Sequence, residues 1–110
     1  MAKKILSKKQ IKDLVEKVAD EAKKDNMGIS KIYVFGSYAK ARANENSDLD
    51  LCFVSSKFKN SIEAEVYLRT KIYNLFSYTT PMDIVAYLPA DFNENIPLAR
   101  EVLKTGSRIL

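Results

Sequence analysis

Histidine is absent from all 110 residues, and cysteine occurs once, at Cys52. Without imidazole the chain cannot form a His-based serine or cysteine triad, nor a His-ligated zinc or iron site. A lone cysteine makes no internal disulfide and no thiolate metal site. Any catalysis is therefore left to carboxylates, hydroxyls, lysines, tyrosines or a hard metal ion. Glycine and proline number three each, and no repeat, low-complexity tract or linker breaks a length that suits one domain. No apolar run approaches the roughly 18–20 residues of a membrane span, and the N-terminus lacks the apolar region of a signal peptide. The cytosol is the expected location, with no membrane partner.

With 46% hydrophobic and 29% charged residues, the chain has the composition of a packed domain rather than a disordered one. The net charge of +4 is unevenly placed. Residues 1–31 hold nine lysines against five acids, and residues 32–110 hold nine cations against nine acids. The excess reads as the solvated face of an N-terminal helix, with i,i+4 partners such as Asp13 with Lys17 and Asp20 with Lys24. A polyanion groove is not indicated, and nucleic acid is not expected as a direct ligand.

Ser7 and Gln10 have the form of a capping box, followed at helical spacing by Ile11, Leu14, Val15, Val18, Ala19 and Ala22. That helix is expected to stop near Asn26, with Gly28 as a left-handed cap. Lys31 to Phe35 is short, apolar and β-branched or aromatic, the pattern of a buried strand. Gly36-Ser37 breaks it, Tyr38 to Arg42 suits a short helix, and residues 43–47 form a polar loop. Asp48 to Val54 alternates as a second strand. Ser61 to about Ser77 reads as a helix with Ile62, Val66, Leu68, Ile72, Leu75 and Phe76 as core contacts. Met82 to Tyr87 is a third strand entered through Pro81. Ile96 to Lys104 is a final helix, with Pro97 early and Gly106 just beyond. This order predicts an α/β or α+β fold, a small, mostly buried sheet covered by helices.

The chemistry concentrates between Phe35 and Val54. Asp48 and Asp50, two apart on a strand, share a face at roughly 6.5–7 Å and repel by about 2 kcal/mol at an effective dielectric near 20. Packing gives no reason to accept that cost, whereas a divalent cation reverses its sign, and carboxylates are the ligands Mg²⁺ prefers. Gly36 lets backbone approach a ligand closely, and Ser37 offers a hydroxyl and an N–H at a helix start, a corner suited to phosphate oxygens. Asp83 completes a carboxylate triad if its strand lies beside that of Asp48 and Asp50. Three carboxylates, a Gly-Ser corner and no histidine point to metal-assisted phosphoryl or nucleotidyl transfer.

Gly36-Ser37, ten residues, then Asp48-x-Asp50, with Asp83 on a later strand, resembles the signature of the polymerase-β-type nucleotidyltransferase superfamily. The segment GSYAKARANENSDLDLCFV is similar to its minimal nucleotidyltransferase branch, commonly the antitoxin half of two-component modules with an all-helical HEPN-domain toxin. The resemblance implies one polymerase-β-like domain over residues 1–110 and transfer of a nucleoside monophosphate, AMP from ATP, to a hydroxyl of a partner protein. It implies two Mg²⁺ ions held by Asp48, Asp50 and Asp83, the last also accepting the nucleophile's proton. Gly36, Ser37, Lys40 and Arg42 are then the nucleotide-binding residues. The family often carries Arg-Gly where this chain has Lys40-Ala41. The alternative is a binding module that neutralises a HEPN partner by contact alone. Acceptor, base specificity and self-association are left open.

Overall fold

The computed structural model describes residues 5–44, 46–76 and 81–110. Helix α1 (Lys8–Lys24) opens with the expected capping box: Gln10 N–H donates to Ser7 Oγ at 3.1 Å, and Ser7 N–H donates to Gln10 Oε1 at 2.8 Å. Its buried stripe is Ile11, Leu14, Val15, Val18 and Ala22. The helix does not end through Gly28. Asn26 takes the left-handed conformation at φ 60, and Met27 N–H donates to Ala22 O at 2.8 Å. Asparagine tolerates that region, so it closes the terminus two residues before the glycine. The surface pairs also differ from expectation: Lys12 lies 3.9 Å from Glu16, and Lys24 turns back to Glu21 at 3.0 Å. Neither Asp13 nor Asp20 lies within ion-pair distance of a lysine among the described residues, although the charge of Asp20 still helps to raise Lys24.

Strand β1 (Lys31–Phe35) runs antiparallel to β2 (Leu49–Val54), in a register that sets Phe35 opposite Asp50. Between them α2 (Gly36–Ala39) is one turn, starting two residues before the expected Tyr38 because the chain already bends at Gly36. Part of the polar loop, Glu45, lies outside the described residues. Helix α3 (Ser61–Leu75) carries the chain across to β3 (Met82–Tyr87), which pairs parallel with β2 and sets Asp83 beside Asp50. After a 3₁₀ turn at Pro89–Asp91 come α4 (Pro97–Thr105), capped by Gly106, and β4 (Ser107–Arg108), an antiparallel partner of β1. The sheet order is β3-β2-β1-β4. The two-residue β4 is too short for an alternation pattern to reveal.

The sheet is covered on both faces. Ile32, Val34, Leu49, Leu51, Phe53, Ile84 and Ala86 pack with α1 and α3, and Phe35, Cys52 and Val54 pack with Phe92, Ala99 and Val102 on the α4 side. Burial pushes the Cys52 thiol up to about 12, which leaves it an inert core residue. Among the described residues no helix is long and apolar enough to cross a membrane.

Helix α3 departs most from expectation. Ala64, Leu68 and Ile72 face the core and Leu75 and Phe76 pack beside them, but Ile62 is 77% exposed and Val66 60%. Apolar residues lie on two sides of this helix, about 200° apart at 100° per residue, so periodicity alone leaves its phase ambiguous. The helix ends at Leu75, with Phe76 already extended as its C-cap, two residues short of the expected Ser77. Leu68→Ala is expected to cost about 2–5 kcal/mol of unfolding free energy, while Ile62→Ala and Val66→Ala each stay within about 0.5 kcal/mol, as read by urea titration.

Candidate active site

Asp50 is the exception on β2, where Leu49 and Leu51 to Val54 are all buried and Asp50 is half-buried. Alternation turns its side chain to the α4 face, away from Leu49 and Leu51. The parallel register sets it one strand spacing, about 4.8 Å, from Asp83. Asp48 lies just outside the strand, because pairing begins with Leu49 N–H donating to Pro81 O at 2.8 Å. Both Asp48 and Asp83 are exposed.

Gly36 closes this site from below. Its φ is 68, and a Cβ added there would collide with Asp50 Oδ2. Glycine is required twice over, by backbone conformation and by the carboxylate lying against its Cα. Ser37 is half-buried in the first turn of α2, and its backbone carbonyl accepts Arg42 N–H at 2.9 Å. That bond returns the chain through Ala41 at φ 55, a left-handed conformation in a residue with a Cβ. A glycine there would be unstrained.

Partial burial, then the neighbouring charges of Asp83, Asp48 and Glu101, push the Asp50 carboxyl up to about 6. Glu101, from α4, is a fourth acid that local sequence pattern did not single out. It draws Lys40, whose Nζ lies 4.0 Å from Glu101 Oε1. Arg69, from α3, also escaped the sequence reading; its Nη2 lies 3.5 Å from Asp83 Oδ1. Only the tertiary fold brings either residue here. The Arg42 side chain is exposed and makes no ion pair among the described residues. Thus Gly36, Asp48, Asp50 and Asp83 are gathered, Ser37 sits at the corner, and Lys40 engages an acid.

The donor set consists of carboxylate oxygens, which suits a hard cation and disfavours a soft one. A cation is also what would relieve the repulsion that raises Asp50. As placed, no three acidic side chains among the described residues converge closely enough to ligate one ion. Rotation of the exposed Asp48 and Asp83 side chains about Asp50 is the adjustment that convergence requires.

Residues 16–110 match the family described as "Polymerase beta, Nucleotidyltransferase". The chain belongs to that family. Membership supports transferase activity in general. A search of curated proteins found no match. Among solved structures, a toxin–antitoxin complex with AMP-PNP is similar at a TM-score of 0.64 and 22% identity, over 90% of this chain and 72% of that one. A mutant of the toxin–antitoxin MntA-HpeT matches at 0.61 and 18%, over 90% and 71%. A third structure, from Sulfolobus solfataricus, matches at 0.56 and 19%, over 88% and 77%. These likenesses establish the nucleotidyltransferase fold.

Two tests follow from the site's energetics. Asp50 binds a proton more tightly folded than unfolded, so its contribution to stability is full below its ordinary carboxylate range and is lost as pH rises through about 6. Unfolding titrations in chelator between pH 4 and 7.5 should show this decline in the wild type and a smaller one in Asp50→Asn, which should be equal or more stable at neutral pH. Separately, Ala41→Gly should raise stability by about 0.5–1 kcal/mol by removing left-handed strain, measured by thermal or urea unfolding.

Proposed function

We propose that this chain transfers a nucleoside monophosphate, AMP from ATP, to a hydroxyl of a partner protein, as the antitoxin half of a pair with a helical HEPN-type toxin. The observation that carries the reading is the register setting Asp83 beside Asp50, with Gly36 seated beneath the Asp50 carboxylate. The likeness to toxin–antitoxin structures, one of them with AMP-PNP, supports the choice of partner and nucleotide.

Asp48, Asp50 and Asp83 are the residues that would hold Mg²⁺, which when bound supplies neutralisation of triphosphate charge and acidification of the attacking hydroxyl. Gly36 and Ser37 offer close backbone approach, a hydroxyl and a first-turn N–H to the β- and γ-phosphates. Lys40 and Arg42 bring positive charge to the same loop, Lys40 by exchanging Glu101 for phosphate. The acceptor hydroxyl attacks the α-phosphorus, the bond from that phosphorus to the bridging oxygen breaks, and pyrophosphate leaves in line. The hydroxyl's proton passes to Asp83 Oδ2, since Oδ1 faces Arg69.

A second reading, neutralisation of the partner by contact alone, is favoured by one observation: the acids among the described residues do not converge on a single point. Stoichiometry separates the two. A small amount of this protein with ATP and Mg²⁺ is expected to inactivate a large excess of a HEPN-type toxin and leave it heavier by one or more nucleoside monophosphates. Asp50→Asn and Asp83→Asn should abolish that effect. Titration of toxin activity with mass spectrometry at each point is the measurement, and equimolar, ATP-independent neutralisation that survives both substitutions would overturn the enzymatic reading.

A further inference from the structure

Among the described residues β3 forms an edge of the sheet, and the Arg69 side chain lies along it. Leu49 N–H donates to Pro81 O, and Ser55 N–H donates to Tyr87 O at 3.1 Å. By alternation the carbonyls of Met82 and Ile84 therefore turn outward. Arg69 meets both: Nη1 donates to Met82 O at 3.3 Å and Nη2 to Ile84 O at 3.4 Å. The same guanidinium lies 3.5 Å from Asp83 Oδ1, so its fork brackets the residue between those carbonyls. Its backbone is held beside the strand by Leu68, the preceding residue, which is fully buried against the sheet.

We infer that Arg69 is a positioning residue for the third carboxylate of the site, holding Asp83 beside Asp50; this role rests on the nucleotidyl-transfer reading. The physical need is specific. The Asp83 side chain is 58% exposed and by itself free to sample several rotamers. Repulsion from Asp50 and Asp48 disfavours the rotamers directed at the site. A cation on the outer side offsets that repulsion, and two carbonyl contacts keep the cation in register with the strand. An exposed ion pair contributes little stability, so stability alone does not account for three contacts from one side chain. Arginine can make all three at once because its donors are rigidly planar; lysine carries the charge without the fork. A small displacement of a reacting group costs rate far more than it costs ground-state binding.

The test compares wild type, Arg69→Met, Arg69→Lys and Asp83→Asn at equal folded fraction, established by circular dichroism. Arg69→Gln replaces the Met variant if that one fails to fold. In transfer assays Arg69→Met is expected to lose at least tenfold in kcat with KM for ATP unchanged, and Arg69→Lys to fall between it and wild type. A readout independent of turnover is Mn²⁺ affinity by electron paramagnetic resonance, expected to weaken several-fold in Arg69→Met and more in Asp83→Asn. Wild-type Mn²⁺ affinity and kcat retained in Arg69→Met, with loss only in Asp83→Asn, would overturn the role of Arg69 and leave the transfer reading standing. Tighter Mn²⁺ binding in Arg69→Met would also overturn it, by making Arg69 a competitor of the cation. A wild type that neither binds Mn²⁺ nor transfers would remove the transfer reading, and the inference with it.

Discussion

The bare Cα of Gly36 lies against the Asp50 carboxylate, at the point where β1 turns into α2. The antiparallel register pairs Phe35 with Asp50, so the residue after Phe35 crosses directly beneath the acid. Any side chain there would either move the carboxylate or unseat the strand pair, and the left-handed φ removes most alternatives to glycine independently. From this contact follow the bend of the chain into α2, the partial desolvation of Asp50 and the proximity of the Ser37 corner to the acids.

The site lies where a well-packed sheet is least comfortable. β2 is central, apolar and covered on both faces, yet one position on it is a carboxylate with three acidic neighbours. Arg69 and Lys40 offset this only at its margins, through Asp83 and Glu101. The surrounding core, from Leu14 and Leu68 on one side to Ala99 and Val102 on the other, supplies the stability that lets such a cluster persist.

Much of this architecture was legible in local pattern. The apolar runs of β1 and β3 bound themselves, the Ser7–Gln10 box started α1 where expected, and Gly-Ser followed by Asp-x-Asp marked residues that the fold brings together. What local pattern could not carry was phase and distance. α3 presents apolar residues on two faces, and only packing selects Ala64, Leu68 and Ile72 over Ile62 and Val66. Asn26 displaced Gly28 as the left-handed residue because asparagine also tolerates that region. Glu101 and Arg69 lie 51 and 19 residues from Asp50 in sequence, and nothing nearby announces either as a neighbour of the site.

The parallel pairing of β3 also governs the order in which the site comes into being. Asp50 belongs to a strand pair closed across the 13 residues between Phe35 and Leu49, with Asp48 at the end of that connection, whereas Asp83 arrives after the 27 residues between Val54 and Met82. Closing the longer loop costs more chain entropy, and the contacts that reward it form only once α3 has docked. Among the described residues β3 pairs with another strand on one side only, so it is also a strand that can detach without melting the β1–β2 pair. A local opening at that edge would take the third carboxylate away and leave the other two in place, uncoupling the lifetime of the assembled site from the lifetime of the fold.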